Sequence, residues 1–301
     1  MLKKVFVLSL ILFIAGFAIA QQAAPKPVEL TTTKVADNLY TLTGSGGNMA
    51  FLVTGEGVLL VDTGTQPIAA EIRAAIKSVT DKPIKYVLIT HHHYDHVGSN
   101  EGLSKEATII AQQNVRKHLS AESTVLGRQV KAMAPEAWPI VTFDNGMCLY
   151  MGGEEVRFVH PSASGHTDGD GVVWFVKENV VHMGDELFSG MFPVIDMDGG
   201  GNVLALADAV DKVVAMVPPD TKFIAGHGPM YTAAQMKEYT AFLRDTAELV
   251  RAAMKQGKTL DQMKSENVLA KYEKLNGFVK MPQFTEWVYK SVNAKDASAA
   301  K

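Results

Sequence analysis

Cysteine is almost absent: Cys148 is the only one in 301 residues. A single cysteine excludes an intrachain disulfide and any cysteine-based zinc knuckle. An excess of positive charge is also missing. The 29 Lys and Arg face 32 Asp and Glu, a formal net charge of -3, which argues against nucleic acid as a partner. No G-x-S-x-G elbow occurs, so there is no sign of a serine nucleophile of that type. Fixed-period repeats and low-complexity tracts are lacking too. What remains is a chain that is 47% hydrophobic and 20% charged, enough to bury roughly three quarters of its unfolded surface.

The one long apolar run is N-terminal. Lys3 and Lys4 precede Val5 to Ala20, interrupted by Ser9 and Gly16, and Ala18-Ile19-Ala20 forms an A-x-A cleavage site. The run is short for a membrane span, which takes about 20 residues, and no cysteine follows for lipid attachment. Residues 1–20 therefore read as a signal peptide, leaving no stable membrane anchor after cleavage and a periplasmic or secreted protein. Gln21 to Pro27 is polar with two prolines, and residues 21–30 read as a tether.

Residues 31–301 read as a single domain. Short β-rich runs at Leu39–Thr43, Met49–Thr54 and Val58–Asp62 are separated by glycine-rich turns. A helix over Ile68–Val79 and a strand over Lys85–Thr90 follow. Ala107–Ala111 then predicts a strand, and Asn114–Ser120 a helix. Strands at Val156–His160, Val172–Val176, Val180–Met183 and Lys222–Ala225 alternate with helices at Val203–Val217 and Ala233–Gln256. Thr259 with Gln262 predicts a capping box, and Phe284, Trp287 and Val288 mark a last helix. Such alternation points to an α/β layered fold.

The chemistry concentrates in Thr90–His96, Thr-His-His-His-Tyr-Asp-His. Three His and one Asp at fixed places arise by chance at about one start in a million. His91 and His93 are two apart, so an extended backbone points both to one side, where they can share a metal. Asp95 and His96 lie where the chain turns and can serve a second metal. Imidazole and carboxylate are ligands that zinc and related ions accept. His166, Asp185 and His227 each fall at a strand end beside glycine. His92 should face away, His118 should be a solvated surface residue, and His160 and His182 should be packed in the core. Gly44–Asn48 reads as either a flap or a plain hairpin turn. Met191 and Phe192, in the loop 188–202, and Trp138, in a loop with Met133 and Pro135, are candidate walls of a substrate pocket.

These segments, with Val61-Asp62-Thr63-Gly64, resemble the metallo-β-lactamase superfamily over roughly Leu39 to Pro229. The resemblance implies an αββα sandwich, two mixed sheets flanked by helices, with a two-metal cleft at the sheet ends. It implies that His91, His93 and His166 bind one metal, that Asp95, His96 and His227 bind another, and that Asp185 bridges them. Asp62 would orient a ligand from behind. The best-known β-lactamase subclass has cysteine where Asp185 stands and lacks His96; another subclass has serine at the bridging place. The set is therefore similar to glyoxalase II and the lactonases, and Gly184–Phe188 looks particularly like glyoxalase II. No tail segment matches that family's glutathione-binding residues.

The implied function is hydrolysis of a small-molecule carbonyl substrate, such as a β-lactam, lactone, ester or thioester. Two zinc ions, with iron or manganese as alternatives, would lower the pKa of a water and polarise the substrate oxygen. Asp95 would orient the attacking hydroxide. An iron-dependent oxygenase similar to the persulfide dioxygenases is the alternative, but it leaves part of the ligand set idle. A non-catalytic metal-binding protein on the same fold would lack ligands, and none is missing.

Overall fold

The computed structural model describes residues 28–65 and 67–299. The expected signal peptide and residues 21–27 of the expected tether lie outside them. Val28 and Leu30, the apolar residues of the tether's last part, pack against the core.

Seven strands build the first sheet. β1 (Thr31–Lys34), β2 (Leu39–Thr43), β3 (Met49–Val53) and β4 (Val58–Val61) run antiparallel. After α1 (Ala69–Lys77), β5 (Ile84–Ile89) joins parallel to β4. Two single-turn helices follow, α2 (Tyr94–Val97) and α3 (Asn100–Leu103), then β6 (Thr108–Gln112) and α4 (Gln113–Leu119). A separate hairpin, β7 (Ser123–Val125) and β8 (Arg128–Val130), precedes β9 (Val141–Phe143), which closes the sheet beside β6.

The second sheet contains β10 (Gly146–Met151), β11 (Glu154–Val159), β12 (Val172–Phe175), β13 (Val180–His182), β14 (Lys222–Ile224) and β15 (Tyr231–Thr232) in that order. It is antiparallel apart from the β13–β14 pair. α5 (Val203–Met216) crosses between those two strands. α6 (Ala233–Lys255), α7 (Leu260–Ser265) and α8 (Met281–Ala299) complete the outer layer.

Period-2 alternation explains the layering. In β3 and β4, Ala50, Leu52, Leu59 and Val61 face the second sheet, while Met49, Phe51, Val58 and Leu60 face α1. In β12, Val173 and Phe175 meet the first sheet, and Val172 and Trp174 lie beneath the α5–α6–α8 layer. Successive strand side chains point to opposite faces, so strands buried on both sides read as unbroken apolar runs. The result is the αββα sandwich of two mixed sheets. Side-chain caps start the outer helices. Asn202 Oδ1 accepts from the amides of Leu204 and Ala205, and capping boxes at Thr232/Gln235 and Thr259/Gln262 open α6 and α7.

Two elements pin the sandwich near one end. His182 Nε2 lies 2.9 Å from the Asn48 carbonyl, and Asn48 Nδ2 donates to the carbonyls of Ala225 and Gly228 at 2.9 Å each. The Gly44–Asn48 connection is thus a bonded turn rather than a loose flap.

Candidate metal centre

β5 delivers the first ligand group. The chain bends at His92, His93 is extended at the N-cap of α2, and Asp95 and His96 fall within that helix. His166 lies between β11 and β12, Asp185 in the 3-10 turn Gly184–Glu186 after β13, and His227 after β14. Every one of these elements ends at the same edge of the sandwich.

Among the described residues three groups of donors result, one of them His92, His93 and Asp196, and two of them face the cleft. His91, His93, His166 and Asp185 form one, and Asp95, His96 and His227 the other, each able to bring one ligand atom per residue within 4.8 Å of the rest. Nε2 of His166 faces Nδ1 of His93 at 2.9 Å. Nε2 of His227 lies 3.2 Å from Asp95 Oδ2. Asp185 stands between the clusters. Its Oδ2 is 3.7 Å from His91 Nε2, 3.6 Å from His166 Nε2 and 3.5 Å from His227 Nε2, and its Oδ1 is 3.2 Å from His96 Nε2.

The donor set fits metal ions. His91 Nε2, His96 Nε2 and Asp185 Oδ1 are buried without a hydrogen-bond partner, an expensive state for polar atoms that a cation between them would relieve. Behind the ligands, the far ring nitrogens are occupied. Asp62 Oδ2 lies 2.8 Å from His96 Nδ1, Thr90 Oγ1 lies 3.1 Å from His91 Nδ1, and the Val194 carbonyl lies 2.7 Å from His166 Nδ1. Asp196 Oδ2 lies 2.9 Å from His93 Nε2. Such contacts fix tautomer and ring direction. Asp62 sits in the left-handed region, φ 62°, and accepts from Thr90 N and Thr90 Oγ1, each at 2.8 Å. Glycine permits the closest approaches. A Cβ on Gly47 would stand 2.2 Å from the His96 ring, and one on Gly226 would stand 2.0 Å from Asp185 Oδ1.

A profile of the Metallo-beta-lactamase superfamily matches residues 42–228. The chain belongs to the metallo-beta-lactamase superfamily. It is 28% identical over 243 residues to a metallo-beta-lactamase type 2 of Elizabethkingia meningoseptica, covering 75% of this chain and 89% of that one. It is 29% identical over 185 residues to a hydroxyacylglutathione hydrolase of Pelagibacter ubique, covering 60% and 66%. A solved metallo-beta-lactamase from Pontibacter korlensis superposes with a TM-score of 0.61 at 18% identity, over 72% of this chain and 99% of that one. Membership and the His/Asp clusters together fit a metal-dependent hydrolase.

Electrostatics at this superfamily site divide the ligands. Burial keeps His91 well below the ordinary histidine value, and burial with neighbouring His93 brings His166 down to about 4, so both are neutral. His96 and His227 behave oppositely. Burial opposes their charge, but Asp185 and Asp95 hold His96 well above its usual value and His227 at about 9. Burial also opposes the Asp185 charge, yet His227, His96 and His91 hold it well below the usual carboxylate range. A metal loading this site must displace protons from His96 and His227.

Several residues outside the ligand set are placed differently from expectation. Asp196 was not foreseen; the sign available was an Asp inside the apolar stretch Pro193–Met197. His92 stands off the cleft but groups with His93 and Asp196, its Nε2 3.7 Å from Asp196 Oδ2; neither ring nitrogen makes a hydrogen bond, and the ring stacks on His118 at 4.0 Å. His118 is partly buried rather than freely solvated: its Nε2 lies 2.8 Å from Asp168 Oδ1. His182 is buried as expected, and half-buried His160 binds the Asp170 carbonyl at 2.6 Å. Cys148 is exposed on β10 and joins no ligand cluster.

The cleft over the ligands has a volume of about 500 Å³, walled by Tyr94, Leu126, Phe188, Val194 and Phe278. The three expected wall residues lie elsewhere. Phe192 is fully buried, stacked on Phe284 at 4.8 Å, because the loop turns it under α6 and α8. Met191 borders a different cavity beside Tyr231 and Leu275. Trp138 packs on the first sheet's outer layer, its indole donating to the Met133 carbonyl with Arg116 over its ring.

Proposed function

We propose that this chain is an exported dinuclear hydrolase, with two zinc ions, acting on a small carbonyl substrate such as an ester, lactone, thioester or β-lactam. The position of Asp185 supports this reading most: its carboxylate faces both clusters. His91, His93 and His166 would hold one ion, Asp95, His96 and His227 the other, and Asp185 both. A pair of such ions supplies a nucleophilic hydroxide at neutral pH and polarises the carbonyl to be attacked.

The chain's own residues do the rest. Asp95 lines the cleft, and although burial opposes its charge, His96 and His227 lower its pKa and keep it ionised. It accepts a hydrogen bond from the attacking water and aims it at the carbonyl carbon. As water adds its oxygen and the acyl bond breaks, the water's proton leaves with the departing oxygen, nitrogen or sulfur. Phe188 is buried against the ligands and Val194 half-buried beside them, giving the cleft an apolar wall. Export rests on Lys3, Lys4 and the run ending at Ala20.

The test is elemental analysis of the chain from Gln21 onward, purified without chelator, followed by ester, lactone, thioester and β-lactam assays. About two zinc ions per chain with hydrolysis is the expected result, lost together in His93→Ala and Asp185→Ala. One iron per chain with oxygen uptake on sulfur substrates would replace this reading with an oxygenase.

A further inference from the structure

A second cavity, of about 250 Å³, shares His93, Tyr94 and Val125 with the metal cleft. Its floor is Val97 and Leu119, 1% and 5% exposed. Val125 and Val130 of the β7–β8 hairpin form its outer wall. The stacked His92 and His118 rings close the side nearest the ligands. Ser123 and exposed Lys131 stand among the lining, which is otherwise mostly carbon. The hairpin is tied down at its tip, where Leu126 N donates to Asp196 at 3.3 Å and Gly127 N to Asp198 at 2.7 Å. Among the described residues lining the metal cleft itself, none is Lys or Arg.

We infer that this inner cavity receives the apolar tail of an acyl substrate whose carbonyl lies among the ligands; the inference rests on the hydrolase reading above. The two cavities adjoin at His93, Tyr94 and Val125, so the inner cavity lies next to the space in which the ligands would hold an acyl group. Val97, Leu119 and Val130 offer an acyl tail carbon contacts that it exchanges for water. The wall beside the ligands is Phe188, Val194 and Phe278, side chains that pair with carbon rather than with polar groups. The substrate class is therefore an ester or lactone with a medium-length alkyl tail.

The test uses the metal-loaded full chain and 4-nitrophenyl esters from acetyl to decanoyl. The expected kcat/KM rises about three- to fourfold per added methylene until the cavity is full. Val130→Trp, on the exposed hairpin, should cut the octanoyl-to-acetyl ratio of kcat/KM at least tenfold. Octanamide, which carries the tail without a labile bond, should bind the metal-free chain and bind Val130→Trp more weakly. Cleavage of the esters with a flat length profile, unmoved by Val130→Trp, would overturn the tail pocket and leave the hydrolase standing. If no ester is cleaved, the ester is struck from the hydrolase reading, and octanamide binding decides the pocket: loss in Val130→Trp supports it, and no binding to either protein ends it.

Discussion

Oδ2 of Asp196 lies 2.9 Å from Nε2 of His93 across 103 positions of chain. The contact occupies one ring nitrogen and leaves Nδ1 facing His166. The same carboxylate accepts from Leu126 N at the tip of the β7–β8 hairpin, so a ligand and a cleft wall share one anchor. Asp196→Ala should weaken zinc binding at the first site about 10- to 100-fold and expose Ser123–Val130 to protease. Chelator competition and limited digestion measure the two effects, and unchanged zinc affinity would show that His93 is oriented by something else.

Asp62 should play the corresponding part at the second site. It holds His96 Nδ1 and both Thr90 donors from a backbone position of φ 62°. Asp62→Ala removes the acceptor for His96 and keeps a side chain in the left-handed region, where Cβ is disfavoured. Zinc stoichiometry is expected to fall from two toward one per chain in equilibrium dialysis. Asp62→Gly, which relaxes the backbone, should recover stability in a melting curve without recovering the second ion.

Two opposite pH responses are expected of the metal-free chain. His166 and His92 have folded pKa values lowered by burial to about 4 and about 3. The unfolded chain takes those protons first, so stability falls as pH drops from about 6.5 through that range. His227, raised to about 9, contributes stability that is complete below about 6.5 and is lost as pH rises through about 9. Metal binding abolishes the alkaline loss, because a ligating His227 is already deprotonated. Melting temperatures from pH 4 to 10, with and without chelator, measure both limbs. Titration with zinc near pH 7.5 should release protons, detectable in buffers of different ionisation enthalpy.

Gly47→Ala tests the close approach of the β2–β3 turn to the site. A Cβ there meets the His96 ring at 2.2 Å, so the ring or the turn must shift. The second ion should be lost with the fold retained, read as one zinc per chain and an unchanged far-ultraviolet circular dichroism spectrum. Two tightly held ions in this variant would show that the turn can yield without disturbing His96.

Phe192→Ala separates core from cleft. Phe192 is fully buried between α6 and α8 partners, stacked on Phe284. The truncation should destabilise the chain by about 3–5 kcal/mol in urea unfolding, with KM for the best ester substrate within about twofold of wild type. A large rise in KM at unchanged stability would return Phe192 to the substrate pocket.

Much of this architecture was legible in the residues themselves. The alternating burial of β3, β4 and β12 makes their apolar runs readable, and the Thr259/Gln262 box announces α7. The spacing of His91, His93, Asp95 and His96 foretold one extended pair and one turned pair; His91 and His93 do share a group, although the chain bends at His92 between them, and α2 carries Asp95 and His96. The elements that escaped notice lie at edges or carry weak patterns. β10 shows apolar residues on both faces, and β7–β8 is a hairpin outside both sheets. Asp196, Phe192 and Trp138 escaped for another reason: where a loop side chain turns depends on contacts far away in sequence, such as His93 for Asp196 and Phe284 for Phe192.

Each sheet comes from one continuous stretch of chain, Thr31 to Phe143 and Gly146 to Thr232. The donors divide along the same line: His91, His93, Asp95 and His96 belong to the first stretch, and His166, Asp185 and His227 to the second. Neither half owns a complete set. The metal centre is therefore a clasp as well as a reaction site, and if the chain were cut at Asp144–Asn145 and the fragments mixed, their reassembly should depend on the ion that neither fragment holds well by itself.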